Sequence, residues 1–134
     1  MNNTVLKSYA KINLFLKVGK KLKKTKLHNV QSLIYLIDLK DKILIKKTYE
    51  QKDIVKFKGK FSKNIKKTNN SIINTLKILR KGNLISDYYS VLVNKKIPVF
   101  SGMGGGTSNA ACLIKYFIKK KVNKNLLSTL NKEI

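Results

Sequence analysis

Residues 98–111 read Pro98-Val99-Phe100-Ser101-Gly102-Met103-Gly104-Gly105-Gly106-Thr107-Ser108-Asn109-Ala110-Ala111, a glycine loop that runs directly into an amphipathic helical pattern. This run constrains the chain most, because it demands an ordered element on each side of a backbone free to curl. Four of the seven glycines fall within residues 102–106. Without a Cβ they let consecutive N–H groups turn inward around an anion. The helix behind them aims its free N–H groups and positive dipole end at the same point, each charge–dipole contact contributing about 0.3–1 kcal/mol. A phosphate cradle is therefore expected. The alternative is a structural glycine turn with no ligand.

The flanking patterns fit that frame. Tyr89, Val91 and Val93 alternate with Ser90, Leu92 and Asn94, so a strand leads into the loop through Lys95, Lys96, Ile97 and Pro98. After the loop, Leu113, Ile114, Phe117 and Ile118 fall on one helix side and Lys115, Lys119 and Lys120 on the other, the lysines closing the helix at its negative end. Asn125 to Asn131 is expected to begin one more helix. Near the N-terminus, Ile12, Leu14, Leu16 and Val18 alternate with Lys11, Asn13, Phe15 and Lys17, which predicts a strand whose second face carries Lys11 and Asn13 together. Residues 19–27 read as a lysine-rich turn, and Val30 to Leu39 and Ile43 to Lys46 as two short strands; Val55 and Phe57 continue the period of two. Asn70 or Ser71 caps a helix that buries Ile72, Ile73, Leu76 and Leu79 and ends at Lys81 and Gly82. The order of elements predicts an α+β domain, helices packed on a mostly antiparallel or mixed sheet.

At 134 residues and 43% hydrophobic content, residues 1–134 make one domain, with no composition break to suggest a linker. The formal charge of +24 would ordinarily point to a polyanion. Yet of the 30 basic residues only Arg80 is arginine, and the lysines are spread among Asn and Ile along the whole length. Bidentate recognition of phosphate and bases favours arginine, so specific nucleic-acid binding is not the expected role. Cys112 is the only cysteine, which excludes an internal disulfide and a multi-cysteine metal site and suits a reducing compartment. The start lacks the apolar run of a signal peptide, and the longest apolar stretch, Leu33 to Ile37, is too short to span a bilayer. A cytoplasmic protein with no membrane partner is expected.

Two familiar phosphate loops do not fit. The P-loop needs Gly-Lys-Ser/Thr, whereas Gly106 is followed by Thr107 and Ser108 without a lysine; counted from Gly102, the dinucleotide fingerprint places Thr107 where its third glycine belongs. The pattern Pro-x-x-x-Gly-x-Gly-Gly-Gly-Thr-Ser-Asn-Ala-Ala instead resembles the ATP loop of the galactokinase, homoserine kinase, mevalonate kinase and phosphomevalonate kinase (GHMP) superfamily. Within it, the triple glycine is most similar to the 4-diphosphocytidyl-2-C-methyl-D-erythritol kinase family. Tyr9-Ala10-Lys11-Ile12-Asn13-Leu14-Phe15-Leu16 resembles that family's opening motif, and His28-Asn29-Val30-Gln31-Ser32-Leu33 its substrate segment. Asn70-Ser71-Ile72-Ile73 resembles the helix start near the adenine, and Lys95-Lys96-Ile97-Pro98 the basic run before the loop.

The resemblance implies the ribosomal protein S5 domain 2-like fold, with ATP and Mg²⁺ as cofactors and a small-molecule substrate, cytidine diphosphate methylerythritol. It implies that Pro98 to Ser108, with Asn70 and Lys95, bind the nucleotide, Thr107 or Ser108 orienting the phosphates or the Mg²⁺. Lys11 would be catalytic, stabilising charge on the transferring phosphoryl group, and Asn13 and His28 would contact substrate. Departures from the pattern bear on detail. Thr25-Lys26-Leu27 replaces the family's acidic-glycine-tyrosine before the histidine, and Phe100 replaces a loop glycine, which is expected to narrow the cradle. The family's catalytic aspartate motif, Gly-Ser/Ala-Asp-Val-Pro-Phe, would follow Ile134, so the chain is expected to be an N-terminal fragment or the product of a frameshifted or decaying gene. A basic nucleic-acid-binding domain, or another small-molecule kinase of the superfamily, remains the alternative.

Overall fold

The structure, a computed structural model, describes residues 3–133, with side chains up to residue 123. Chain order is β1 (Thr4–Lys21), β2 (His28–Thr48), β3 (Ile54–Lys58), α1 (Ser71–Lys81), β4 (Tyr88–Asn94) and α2 (Gly105–Glu133). The four strands form one sheet in the order β1-β2-β4-β3. β1 with β2 and β2 with β4 are antiparallel, while β3 joins β4 in parallel, so the sheet is mixed.

Period-two alternation builds the core. Ile43 and Ile45 of β2 share a face with Tyr89, Val91 and Val93 of β4, and this face packs on Ile72, Leu76 and Leu79 of α1 and Leu113 and Phe117 of α2. The Tyr89 and Phe117 rings meet edge to face, centroids 4.7 Å apart. α1 starts where Asn70, in an extended conformation, accepts from the Ile73 N–H, and Gly82 ends it by donating to Ile78 and Arg80 carbonyls. The only arginine works inside the fold. Arg80 grips Asp53 through both terminal nitrogens, at 2.9 and 3.0 Å, and Asp53 also accepts from the Tyr89 N–H at 2.9 Å. One carboxylate thus ties the residue before β3 to the end of α1 and the start of β4.

Two expectations need correction. The two short strands expected between Val30 and Lys46 are one strand, β2, because the intervening Asp41 faces inward with its carboxylate fully bonded and does not break the ladder. The separate helix expected at Asn125 to Asn131 is the continuation of α2, whose backbone is helical to Glu133; no glycine or proline follows Gly106 to end it. The strand expected over Ile12 to Val18 forms within β1, with Lys11 and Asn13 on one face, and its apolar residues lie outside the core. Beyond the buried Ala10, the β1–β2 pair runs past both helices as a two-stranded ribbon, leaving Leu14, Leu16, Val18, Leu33 and Leu36 more than half exposed. Among the described residues, no helix is long and apolar enough to cross a membrane.

Burial in this core pushes the Tyr89 hydroxyl up to about 12, with Asp87 adding to the shift. A phenol raised in the folded state stabilises the fold fully below the ordinary value near 10, and that contribution is lost as pH rises toward 12. In an alkaline titration followed by tyrosinate absorbance, one of the six tyrosines should ionise late and together with loss of the fold; Tyr89→Phe should remove that late step.

Candidate functional site

β4 delivers the chain to the glycine loop over a buried polar clamp. Asp41, wholly buried in β2, accepts the Lys96 and Ile97 N–H groups on Oδ1 at 2.7 and 2.9 Å, and on Oδ2 the Lys95 ammonium and the Asn109 carboxamide, the latter at 3.1 Å. Four bonds to one carboxylate hold the loop entrance and the first turn of α2 to β2. Lys95 is itself only 3% exposed. Its charge is neutralised in place, and the Asp41 carboxylate would be strongly unfavourable there without it.

The loop winds by alternating backbone signs. Phe100, Gly102 and Gly104 take φ of 60°, 75° and 70°, while Ser101 and Met103 stay in the ordinary region. This alternation is the geometry that turns successive N–H groups toward one point. Ser101 Oγ donates to the Pro98 carbonyl at 2.9 Å, and the Met103 carbonyl accepts the Lys11 N–H at 3.0 Å, pinning the loop to β1. The Ser108 N–H opens the helical ladder by donating to Gly104, so the amides of Gly104 to Thr107 have no partner among the described residues. Two glycines also leave room for close neighbours: a Cβ at Gly104 would lie 2.9 Å from the flexible Lys11 side chain, and one at Gly105 would lie 3.0 Å from Ile97 Cγ2 and 3.1 Å from Lys95 Nζ, so that these neighbours would have to give way.

A cavity of about 600 Å³ opens over these amides, bounded also by Lys11, Phe57, Ile65 and Asn70. Lys11 lies half-buried against Gly104, and its ammonium donates to Asn13 Oδ1 at 3.5 Å, so the two share a face as their spacing predicts. Thr107 stands exposed in the first turn of α2, with Ser108 half-buried beside it. Asn70 borders the cavity, but its carboxamide is engaged at both ends, by the Ile73 N–H at 3.0 Å and the Lys66 carbonyl at 2.9 Å. Lys95 sits beneath Gly105 rather than reaching out as a free cation. His28 is not brought to the loop. It pairs with Lys21 near the far end of the ribbon, whereas Lys11 pairs with Leu36, a separation on the order of 25 Å of strand. Among the described residues, no carboxylate borders the cavity.

Phe100 differs from expectation. It adopts the left-handed backbone a glycine would use, at a cost of about 1–2 kcal/mol, and its ring stands 95% exposed instead of narrowing the cradle. Sequence reasoning missed Asp41 and Asn109. The signal for Asp41 was present: it lies two and four residues before Ile43 and Ile45, on the face that strand alternation turns to the core.

The architecture is an α+β fold, and a solved kinase shares it. A solved crystal structure of 4-(cytidine 5'-diphospho)-2C-methyl-D-erythritol kinase superposes with a TM-score of 0.61 over 81% of this chain and 37% of that one, at 22% identity. By sequence, the chain is similar along its length to proteins named 4-diphosphocytidyl-2-C-methyl-D-erythritol kinase. That of Pelagibacter ubique is 46% identical over all of this chain and 48% of its own length; that of Ureaplasma parvum is 32% identical over 96% of this chain and 51% of its own. The chain thus spans about half the length of the curated relatives it matches. No protein-family model matches it.

Removing one partner of a buried ion pair leaves the other charge uncompensated, which costs about 3–5 kcal/mol. Asp41→Ala should lower stability by that amount in urea unfolding. Asp41→Ala combined with Lys95→Met should recover part of the loss.

Proposed function

We propose that residues 1–134 form the ATP-binding part of a kinase that transfers the γ-phosphoryl group of ATP, with Mg²⁺, to a hydroxyl of 4-diphosphocytidyl-2-C-methyl-D-erythritol in non-mevalonate isoprenoid precursor synthesis. The observation that carries this reading is the set of amides from Gly104 to Thr107 that have no partner among the described residues, wound by three left-handed residues at the start of α2. The sequence similarity to kinases of that name supports the substrate. The finer fold is the ribosomal protein S5 domain 2-like fold, and the location is the cytoplasm.

In this reading Gly104, Gly105, Gly106 and Thr107 donate to the phosphates, with the α2 dipole behind them. Lys11, held against Gly104, stabilises charge on the transferring phosphoryl group and lowers the proton affinity of the accepting hydroxyl. Asn13 orients the Lys11 ammonium and the hydroxyl. His28 would meet only the distant end of an elongated substrate laid along the ribbon. Pro98, Val99, Phe100, Ser101, Gly102 and Met103 shape the nucleotide side of the cavity, Asn70 contributes its helix start, and Lys95 holds the loop from below. From this chain Mg²⁺ would be met by the Thr107 and Ser108 hydroxyls, which suit a cation already carried by phosphate oxygens; when bound it neutralises charge on the phosphates. A general base has no candidate among the residues bordering the cavity.

Calorimetric titration of the chain with Mg-ATP should show binding that survives moderate salt and is abolished by Gly105→Val, whose added Cβ meets Ile97 and Lys95. Binding to arbitrary RNA that is stronger than to ATP and collapses steeply with salt would favour the nucleic-acid alternative. These 134 residues assayed alone should give little or no turnover, since absence of a general base costs roughly 10²- to 10⁴-fold. Steady phosphorylation by them would contradict the assignment.

A further inference from the structure

We propose that Phe100 is a specificity-determining residue that stacks on the base of the bound nucleotide, a role that rests on the ATP-binding reading above. Three observations lead there. Its ring is 95% exposed, the highest exposure among the large apolar side chains of the described residues. Its backbone sits at φ 60°, in the left-handed region that disfavours a side chain. It borders the same cavity as the free loop amides, together with Phe57 and Ile65.

The fold itself gains nothing from this side chain. An aromatic ring left in water forfeits its burial, and its backbone is strained as well, while the neighbouring left-handed positions are filled by glycine. A ring kept there at the mouth of an anion cradle has one chemically matched occupant: a flat, apolar face attached to a polyphosphate. The triphosphate takes the amides of Gly104 to Thr107, four to seven residues further along. The nucleoside end must then leave the cradle, and Pro98, Val99 and Phe100 line the same cavity. Stacking on a base would bury the Phe100 ring and turn the strained conformation into a preorganised platform.

The test compares two ligands that share the phosphates and differ in the base. Calorimetric affinities of the full chain are measured for ATP and for tripolyphosphate, in the wild type and in Phe100→Gly, Phe100→Asn and Phe100→Tyr; Asn tolerates the left-handed backbone, which guards against a folding failure in any one variant. The expected result is a loss of about 5- to 100-fold in ATP affinity for the Gly and Asn variants. Tripolyphosphate affinity should stay within about twofold in all of them, Phe100→Tyr should bind ATP like the wild type, and thermal unfolding midpoints should stay close together. Unchanged ATP affinity in the Gly and Asn variants, or equal weakening of both ligands, overturns the stacking role and leaves the nucleotide site standing. Failure of the wild type to bind either ligand overturns the ATP-binding reading, and the role of Phe100 with it.

Discussion

The buried carboxylate of Asp41 is the constraint on which the rest of this architecture depends. It lies on the core face of β2 beside Ile43 and Ile45, where an unpaired charge would be prohibitive, and it is satisfied only because three separate segments converge on it. The Lys95 ammonium, two backbone amides and the Asn109 carboxamide come from the end of β4, the loop entrance and the first turn of α2. Each bond therefore also positions the glycine loop. Because the carboxylate must be saturated to be buried at all, the loop inherits the rigidity of the core.

A rigid base allows a strained loop above it. The left-handed backbone at 102 and 104 is open to glycine, whereas at Phe100 it is unfavourable in isolation and persists where surrounding structure over-determines it. Here the clamp fixes the entrance, the α2 ladder fixes the exit, and the bond from Lys11 to the Met103 carbonyl fixes the middle. The same contact lays Lys11 across Gly104, so one glycine serves backbone sign and side-chain clearance at once. Beyond that point β1 and β2 leave the core as a bare ribbon whose apolar residues find no third layer among the described elements. The packed core lies beside the loop, and the ribbon is held mainly by its own ladder.

Much of this was legible from short-range patterns. The cap at Asn70, the stop at Gly82, the alternation in β4 and the adjacency of Lys11 and Asn13 all depend on residues a few positions apart, and each appears where local rules put it. The two strands expected over Val30 to Leu39 and Ile43 to Lys46 are one because the charge between them, Asp41, is buried by partners that lie 54 to 68 residues away. Asn70 and Lys95 both border the loop cavity, and there neighbours in space also engage their polar groups, which short-range pattern does not show.

The sequence by itself determined the local events: a glycine run able to curl around an anion, a helix behind it, a strand before it, and a lysine and an asparagine on one face. These follow from Cβ sterics, capping and side-chain periodicity, which act within a few residues. Tertiary structure alone decided which polar groups are spent holding the fold and which are left open. That choice depends on desolvation and on partners remote in the chain, and it buries Lys95 with Asp41 while leaving the Gly104 to Thr107 amides free and the Phe100 ring exposed.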